Sequence, residues 1–386
     1  MKILSFSFTD KTREWTLNEM LISNLTLLVG ASGVGKTQIL RALVSMKEIA
    51  DGSSLNGVSW NIIFETIDKT KYQWIGEFET KNISIFIDDE EDDDQNPNKP
   101  KIIYERFLLN DSEVIVERNS EQILFLGKTT LKLSPEKSIV NLLKEEDLVK
   151  PAYEGLRKIK FSDQSNSVNA PHGFMVDLLN ANKLSKKFNT LKKIQESNHN
   201  ITLKLFLTSK SDKRTFNTIK ERFFDIFPQV VDLKVAPLDT RDKDMPDFFK
   251  DYPFIQIKEQ NVNKWIEQNR ISSGMFRTLL HISELYLCSE GTVFLIDEFE
   301  NSLGINCINE ITNDILKSRR QLQFILTSHH PYIINSINYS NWKLVTRNAG
   351  LVKTHDVEKF NIGKSKHDAF MQLIQLEEYQ TGAEQI

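Results

Sequence analysis

The run Gly30-Ala31-Ser32-Gly33-Val34-Gly35-Lys36-Thr37 follows the apolar stretch Leu25–Val29 and leads into apolar residues at Ile39, Leu40, Leu43 and Val44. Strand, glycine loop and helix in that order make a phosphate-binding P-loop. The glycines let the backbone curl until its N–H groups point at phosphate oxygens, and the helix N-terminus adds positive partial charge. The nucleotide-binding positions are then Gly30, Ser32, Gly33, Val34, Gly35, Lys36, Thr37 and Gln38. Lys36 neutralises the β- and γ-phosphates, and Thr37 holds Mg²⁺. A plain glycine turn leaves Lys36 unexplained, because the positive end of a helix disfavours a cation.

Two further apolar runs end in polar residues. Val293–Ile296 delivers Asp297 and Glu298. An acid at a strand end is common by itself. Beside a P-loop, Asp297 binds the metal directly or through water, and Glu298 orients and deprotonates the attacking water. Phe324–Leu326 delivers Thr327, Ser328, His329, His330 and Pro331. A histidine there can hydrogen-bond the γ-phosphate; the alternative is a histidine facing solvent. Only one of two neighbours can face the site, so His330 reads as structural. Ser272, Ser273 and Gly274 open a helix at Phe276–Leu287. Alone they are an ordinary N-cap, and they also form an anion nest.

These residues need elements to hold them. Ile3–Phe8 and Leu25–Val29 read as strands, and Val58–Ile87 alternates with period two as a β-meander. The acidic run Asp88–Asp94 reads as a solvated loop. Alternation resumes over residues 101–128. From Pro135 the pattern is mostly helical, with ITLKLFL at 201–207 as one possible strand, and residues 234–260 look looser. Helix and strand alternate over 273–345, which indicates parallel strands with crossover helices. A short strand or two and a helix at Ala369–Tyr379 end the chain. The expected organisation is an N-terminal lobe over 1–134, a mostly helical insertion or lid over 135–253, and a C-terminal lobe over 254–386. The fold class is α/β.

Composition sets the outer bounds. The chain has 386 residues, 40% hydrophobic and 26% charged, with net charge −4. These values exclude collagen, a coiled-coil rod and a wholly disordered chain. They also exclude a strongly basic nucleic-acid coat, but not a local basic surface. The two cysteines, Cys288 and Cys307, make no metal spacing or disulfide framework. No apolar run is long enough to cross a membrane and no secretory signal is evident, so a cytoplasmic protein is expected.

The order of motifs resembles the ABC-type ATPases, specifically their soluble SMC-like and OLD-like branch. GASGVGKT is similar to its Walker A, LIDEFENSL to its Walker B and D-loop, ISSGMFR to its signature, and LTSHHPYII to its switch segment. The resemblance covers the N-terminal fifty residues or so and about the last 120. It implies a P-loop NTPase head of ABC type carrying the β-meander and the helical insertion. Ser272-Ser273-Gly274 stands where Ser-Gly-Gly is usual, Phe299 replaces a common proline, and Asn301–Gly304 lacks the usual Leu-His-Pro. The only candidate Q-loop residue is Gln164.

By this resemblance, ATP with Mg²⁺ is held between two copies in a homodimer or higher oligomer. Ser272, Ser273 and Gly274 act in trans, while Glu298 and His329 are catalytic. Relatives of this size act as sensors or regulators in bacterial anti-phage systems, such as PtuA of Septu and the PARIS ATPase, with a separate nuclease as effector. With 57 residues after His329, no TOPRIM nuclease is expected in this chain. An alternative is a RecF-like DNA-repair ATPase. Its groove would be supplied by Lys186, Lys187, Lys192, Lys193, Lys204, Lys210, Lys213 and Arg214. A solvated helix face explains the same residues. A transporter's nucleotide-binding domain fits poorly with the meander and the insertion.

Overall fold

The computed structural model describes residues 1–81, 99–162, 181–236, 253–300, 310, 312–315, 320–360, 362 and 366–383. The expected strand at Ile83–Ile87, the acidic run, Gln164 and Asn301–Gly304 lie outside these residues. Within the alternation expected over 273–345, Glu310 and residues 312–315 are described between the strands Val293–Ile296 and Gln323–Thr327, and they are helical. The chain divides into two compact units. The first comprises Met1–Ser162, Gly291–Glu298 and Arg320–Ile386, and the second Asp163–Glu290 and Phe299–Arg319. The division therefore departs from the boundaries expected at 134 and 253. Residues 135–162 stay with the first unit because their last strand enters its sheet. The Ser272–Gly274 stretch belongs to the second.

The strands of the first unit up to its first crossing are β1 (Lys2–Asp10), β2 (Trp15–Leu21), β3 (Leu25–Val29), β4 (Val58–Glu65), β5 (Lys71–Phe78), β6 (Ile102–Leu109), β7 (Glu113–Asn119), β8 (Ile123–Phe125), β9 (Lys128–Thr129) and β10 (Ile159–Ser162). In the second unit β11 (Val230–Ala236), β12 (Phe254–Glu259) and β13 (Ile266–Glu267) pair as a small antiparallel sheet. This gives the region that looked loose in sequence a strand at each end. The first unit resumes with β14 (Val293–Ile296), β15 (Gln323–Thr327), β16 (Trp342–Asn348) and β17 (Leu351–Asp356). Its sheet has 14 strands in the order β10-β14-β15-β3-β16-β17-β2-β1-β4-β5-β6-β7-β8-β9.

The run β10-β14-β15-β3-β16 is parallel, and β1, β4, β5, β6, β7, β8 and β9 form the expected antiparallel meander. Sequence composition follows this split. Every residue of β3, β14 and β15 is buried, as central parallel strands require. In β4 and β5 burial alternates, so one face packs and the other meets solvent. Phe64, Tyr72 and Phe107 stack on the inner face at centroid spacings of 5.6 and 5.3 Å.

Helix α1 (Lys36–Asp51) buries Ile39, Leu40, Leu43, Met46 and Ile49, a helical spacing. Two short helices, α2 (Ile139–Leu142) and α3 (Lys150–Leu156), follow the meander. In the second unit α4 (Ala181–Lys187), α5 (Leu191–Glu196), α6 (Ile201–Ser211) and α7 (Lys213–Ile226) are the helices of the middle, and α8 (Ser273–Leu287) is the helix expected at Phe276–Leu287. ITLKLFL, expected as a strand, is the body of α6. The Asn200 side chain caps it, accepting from the Leu203 N–H at 2.9 Å. Residues 202–208 are all buried, so no polar face marks the helical period. The chain closes with α9 (Pro331–Ser336), α10 (Lys366–Leu373) and α11 (Glu377–Thr381). The single terminal helix expected at Ala369–Tyr379 is thus two.

A buried polar knot fixes the meander to the far end of α1. Glu105 on β6 is fully buried. It accepts from Trp74 Nε1 at 2.9 Å and from the Ile139 N–H at 3.0 Å. Arg118 lies 3.7 Å away and donates to the carbonyls of Ser134 and Lys137. Ser138 Oγ donates in turn to the Ile49 carbonyl at 2.9 Å, and Asn141 Nδ2 to that of Ala50 at 3.1 Å. Burial outweighs these partners and pushes the Glu105 carboxyl up to about 7. Its folded value exceeds the usual 4.5, so the native state binds the proton more tightly. Its stabilising contribution is complete below the unfolded value and is lost as pH rises through the folded one. The unfolding free energy of the wild type, minus that of Glu105→Gln, should therefore fall by about 1–3 kcal/mol between about pH 4.5 and 7.5. Urea titrations of both proteins measure it, and a difference that stays flat with pH contradicts this reading.

Candidate functional site

The register of three adjacent strands builds the site. β14 pairs with β15 so that Ile296 faces Leu326, and β15 pairs with β3 so that Thr327 faces Leu28. All three strands run the same way. By this register Asp297 is level with Thr327 and Leu28, so the three C-terminal ends step out one residue at a time, with Asp297 first, Ser328 next and Gly30 last.

From β3 the chain enters the P-loop. Gly30 has φ +143°, and a Cβ there would stand 2.6 Å from the Val345 carbonyl oxygen on β16. Only glycine lets the loop pass so close. Gly35 caps α1 with φ +105°. Ser32 and Gly33 are exposed at the loop's tip, whereas Val34 is buried and anchors it. Lys36 folds back over the loop and is only 6% exposed. Its Nζ donates to the carbonyls of Gly30 at 2.9 Å and Ala31 at 2.7 Å. A buried ammonium held by the loop's own carbonyls fits a phosphate group, whose oxygens are stronger acceptors than carbonyls. Thr37 is half-buried and Gln38 exposed on the first turn of α1. Arg347 on β16 reaches the same loop, with Nη1 at 3.4 Å from the Gly33 carbonyl.

At the next strand ends Asp297 is half-buried and Glu298 exposed. Glu298 has φ +46°, a left-handed conformation that costs a non-glycine residue about 1–2 kcal/mol. Thr327, 1% exposed, joins the two acids. Its hydroxyl donates to Asp297 Oδ1 at 2.6 Å and accepts the Glu298 N–H at 2.7 Å. The strand-end pattern gives Thr327 no role of its own. A hydroxyl on the last residue of an otherwise apolar strand, two positions before the switch histidine, is the signal that was available. Two residues on, His329 is exposed. His330 behaves as expected of a structural neighbour: its Nδ1 accepts the Tyr332 N–H at 3.3 Å at the start of α9.

Gly30 to Gln38, Asp297, Glu298 and His329 thus all follow three neighbouring parallel strands of the first unit. Ser272, Ser273 and Gly274 stand on the second. There Ser272 is the N-cap of α8, its Oγ accepting the Met275 N–H at 3.3 Å. Ser272 and Ser273 are exposed, and the Gly274 carbonyl accepts from Thr278 Oγ1 at 2.8 Å. Phe299, in place of the usual proline, is buried in the second unit with its ring 6.3 Å from that of His281. Among the described residues no cluster of His, Cys, Asp or Glu forms a metal site by itself. A metal here would need phosphate oxygens besides Thr37 and Asp297, as Mg²⁺ usually does.

A parallel sheet with a P-loop on β3, an acid pair on β14 and a switch histidine after β15 defines a P-loop NTPase of ABC type. Residues 25–335 match the AAA_21 family, described as "AAA domain, putative AbiEii toxin, Type IV TA system", and the chain belongs to that family. No curated protein matches it. Among solved structures, an SMC head bound to the C-terminal winged-helix domain of ScpA aligns over 93% of this chain and 100% of its own, with 13% identity and a TM-score of 0.45. The SMC head domain from Thermotoga maritima aligns over 92% and 99%, with 11% identity and a TM-score of 0.42. The SMC head from Pyrococcus furiosus with an extended coiled coil, bound to the C-terminal domain of ScpA, aligns over 97% and 100%, with 13% identity and a TM-score of 0.43.

Thr327→Val keeps the shape of the side chain and removes both hydrogen bonds. Bonds to a charged group are worth about 1.5–3 kcal/mol, so nucleotide turnover should fall about 10- to 100-fold in kcat. Thr327→Ser should retain most of it. Steady-state kinetics decide the matter, and a valine variant with unchanged kcat contradicts this role.

Proposed function

We propose that this protein hydrolyses ATP with Mg²⁺ and works as a homodimer or higher oligomer closed by nucleotide. What supports this reading is that the P-loop carrying Lys36, the Asp297–Glu298 pair and His329 each follow one of three neighbouring parallel strands. Lys36 exchanges its two loop carbonyls for the β- and γ-phosphates. Thr37 and Asp297 hold the metal, which supplies charge neutralisation and orients the phosphates. Glu298 takes the proton of the attacking water, and His329 hydrogen-bonds the γ-phosphate. The loop amides of Gly30, Ser32, Gly33, Val34 and Gly35, with Gln38 beyond them, cradle the remaining oxygens.

Ser272, Ser273 and Gly274 complete the site from a second copy. The exposed start of α8, a helix of 15 residues, offers N–H groups and a positive dipole end to the γ-phosphate. ATP then joins the copies and its hydrolysis releases them. Such a cycle suits a sensor or regulator that hands a signal to a separate effector, and we assign that effector to the nucleases of bacterial anti-phage defence. The family's description names a toxin of a type IV TA system, and it supports a two-component role. No helix among the described residues is long and apolar enough to cross a membrane.

Lys36→Ala and Glu298→Gln should both lower ATP turnover by at least about 100-fold. Their effects on assembly should be opposite. With ATP and Mg²⁺, mass photometry should find the alanine variant as single copies and the glutamine variant as trapped oligomers. Full turnover by a protein that stays monomeric contradicts the proposal.

A further inference from the structure

Three helix ends of the second unit meet at one corner, and all bring positive charge. α4 ends on Lys186 and Lys187, and α6 carries Lys210 in its last turn. α7 begins with Lys213 and Arg214. Ser211 Oγ donates to the Phe188 carbonyl at 3.2 Å, which fastens the end of α4 to the junction between α6 and α7. All five cations are exposed, and none makes an ion pair among the described residues. Lys187 lies 5.4 Å from the Phe188 ring centre and Lys210 lies 5.5 Å from that of Phe206, contacts that hold both ammonium groups at the corner. Residues 181–214 contain nine basic side chains and two acids, in a chain whose net charge is −4. Lys204 does not add to this surface. It is buried, and its Nζ donates to the Gln195 carbonyl at 2.8 Å.

Local helix stability accounts for only part of the arrangement. Lysines at the C-terminal ends of α4 and α6 offset the negative end of each dipole. Lys213 and Arg214 sit at the opposite kind of end. The first turn of α7 holds no acid, and Asp212 before it is engaged as the cap, accepting the Thr215 N–H at 3.1 Å. Two cations at a positive helix end, beside three more, raise the local potential at a cost to folding.

We propose that this corner binds the phosphate backbone of a nucleic acid, without reading its bases. Charge complementarity is the argument, and the absence of apolar anchors sharpens it. A protein partner is normally held by aromatic or aliphatic hot spots. None of the exposed large apolar residues among those described lies between 181 and 214. Phe206 is buried and Phe188 half-buried. Among the described residues this corner therefore offers charge, which suits a repeating phosphodiester.

The test is fluorescence anisotropy of a labelled 30-bp DNA duplex between about 50 and 300 mM NaCl, on the wild type and on Lys36→Ala. Binding should appear in both proteins, because the corner does not depend on the nucleotide site. Its loss only in Lys36→Ala would assign it to the ATP-driven assembly instead. Five phosphate contacts predict a log–log salt slope of about −4 to −5. The double variant K213Q/R214Q should lower its steepness by about 2, with an unchanged circular-dichroism melt. The quadruple variant K186E/K187E/K213E/R214E should lose binding while retaining ATP turnover. The proposal is overturned by no binding at 50 mM salt, by an unchanged slope in the double variant, or by polyglutamate displacing the duplex at equal charge.

Discussion

Ile296 lies beside Leu326 and Thr327 beside Leu28 in one parallel register, and the chemistry of this protein hangs on those pairings. Each strand is an apolar run with its polar residues just past its end. A slip of one residue on β14 would turn its side chains to the other face and move Asp297 out of step with the P-loop. Burial on both faces prevents the slip, because β3, β14 and β15 have no exposed position to trade. Hydrophobic packing thus sets where the P-loop, the two acids and His329 leave the sheet.

Above that level, polar contacts take over. Thr327 spends its one proton on Asp297 and its lone pair on the Glu298 N–H, so the two acids of β14 are oriented by the neighbouring strand that leads to His329. Glu298 stays in a left-handed conformation that its own side chain disfavours. Lys36 is held by the loop that it serves. The far end of α1 is fastened by Ser138 and Asn141, and these are tied through Glu105 to the meander. The helix that carries the P-loop is therefore constrained at both ends, by glycine geometry at one and by a buried carboxylate network at the other.

The P-loop, the acid pair and the switch histidine were legible in sequence because each is a local pattern: an apolar run, then polar residues at the strand's end. The meander was legible for the same reason. What escaped depended on partners far along the chain. Glu105 and Arg118 lie in a plain alternation, and nothing local tells that Ile139 will cover them. ITLKLFL carries β-branched and apolar residues with no polar face, and only Asn200 before it hinted at a helix. Lys204 looked like one more surface lysine, yet the carbonyls of Gln195 and Leu287 take it inside. The unit boundaries were hidden because β10 enters the main sheet beside a strand more than 130 residues later.

In the proposed cycle the loop from Gly30 to Thr37 grips a triphosphate, and Lys36 rests on the Gly30 and Ala31 carbonyls until nucleotide arrives. A crystal structure of Glu298→Gln grown with ATP and Mg²⁺ tests it most directly. The expected result is Lys36 Nζ released from Gly30 and Ala31 and placed against the β- and γ-phosphates, with the metal on Thr37 and Asp297. Nucleotide bound elsewhere, with Lys36 still on both carbonyls, would contradict it.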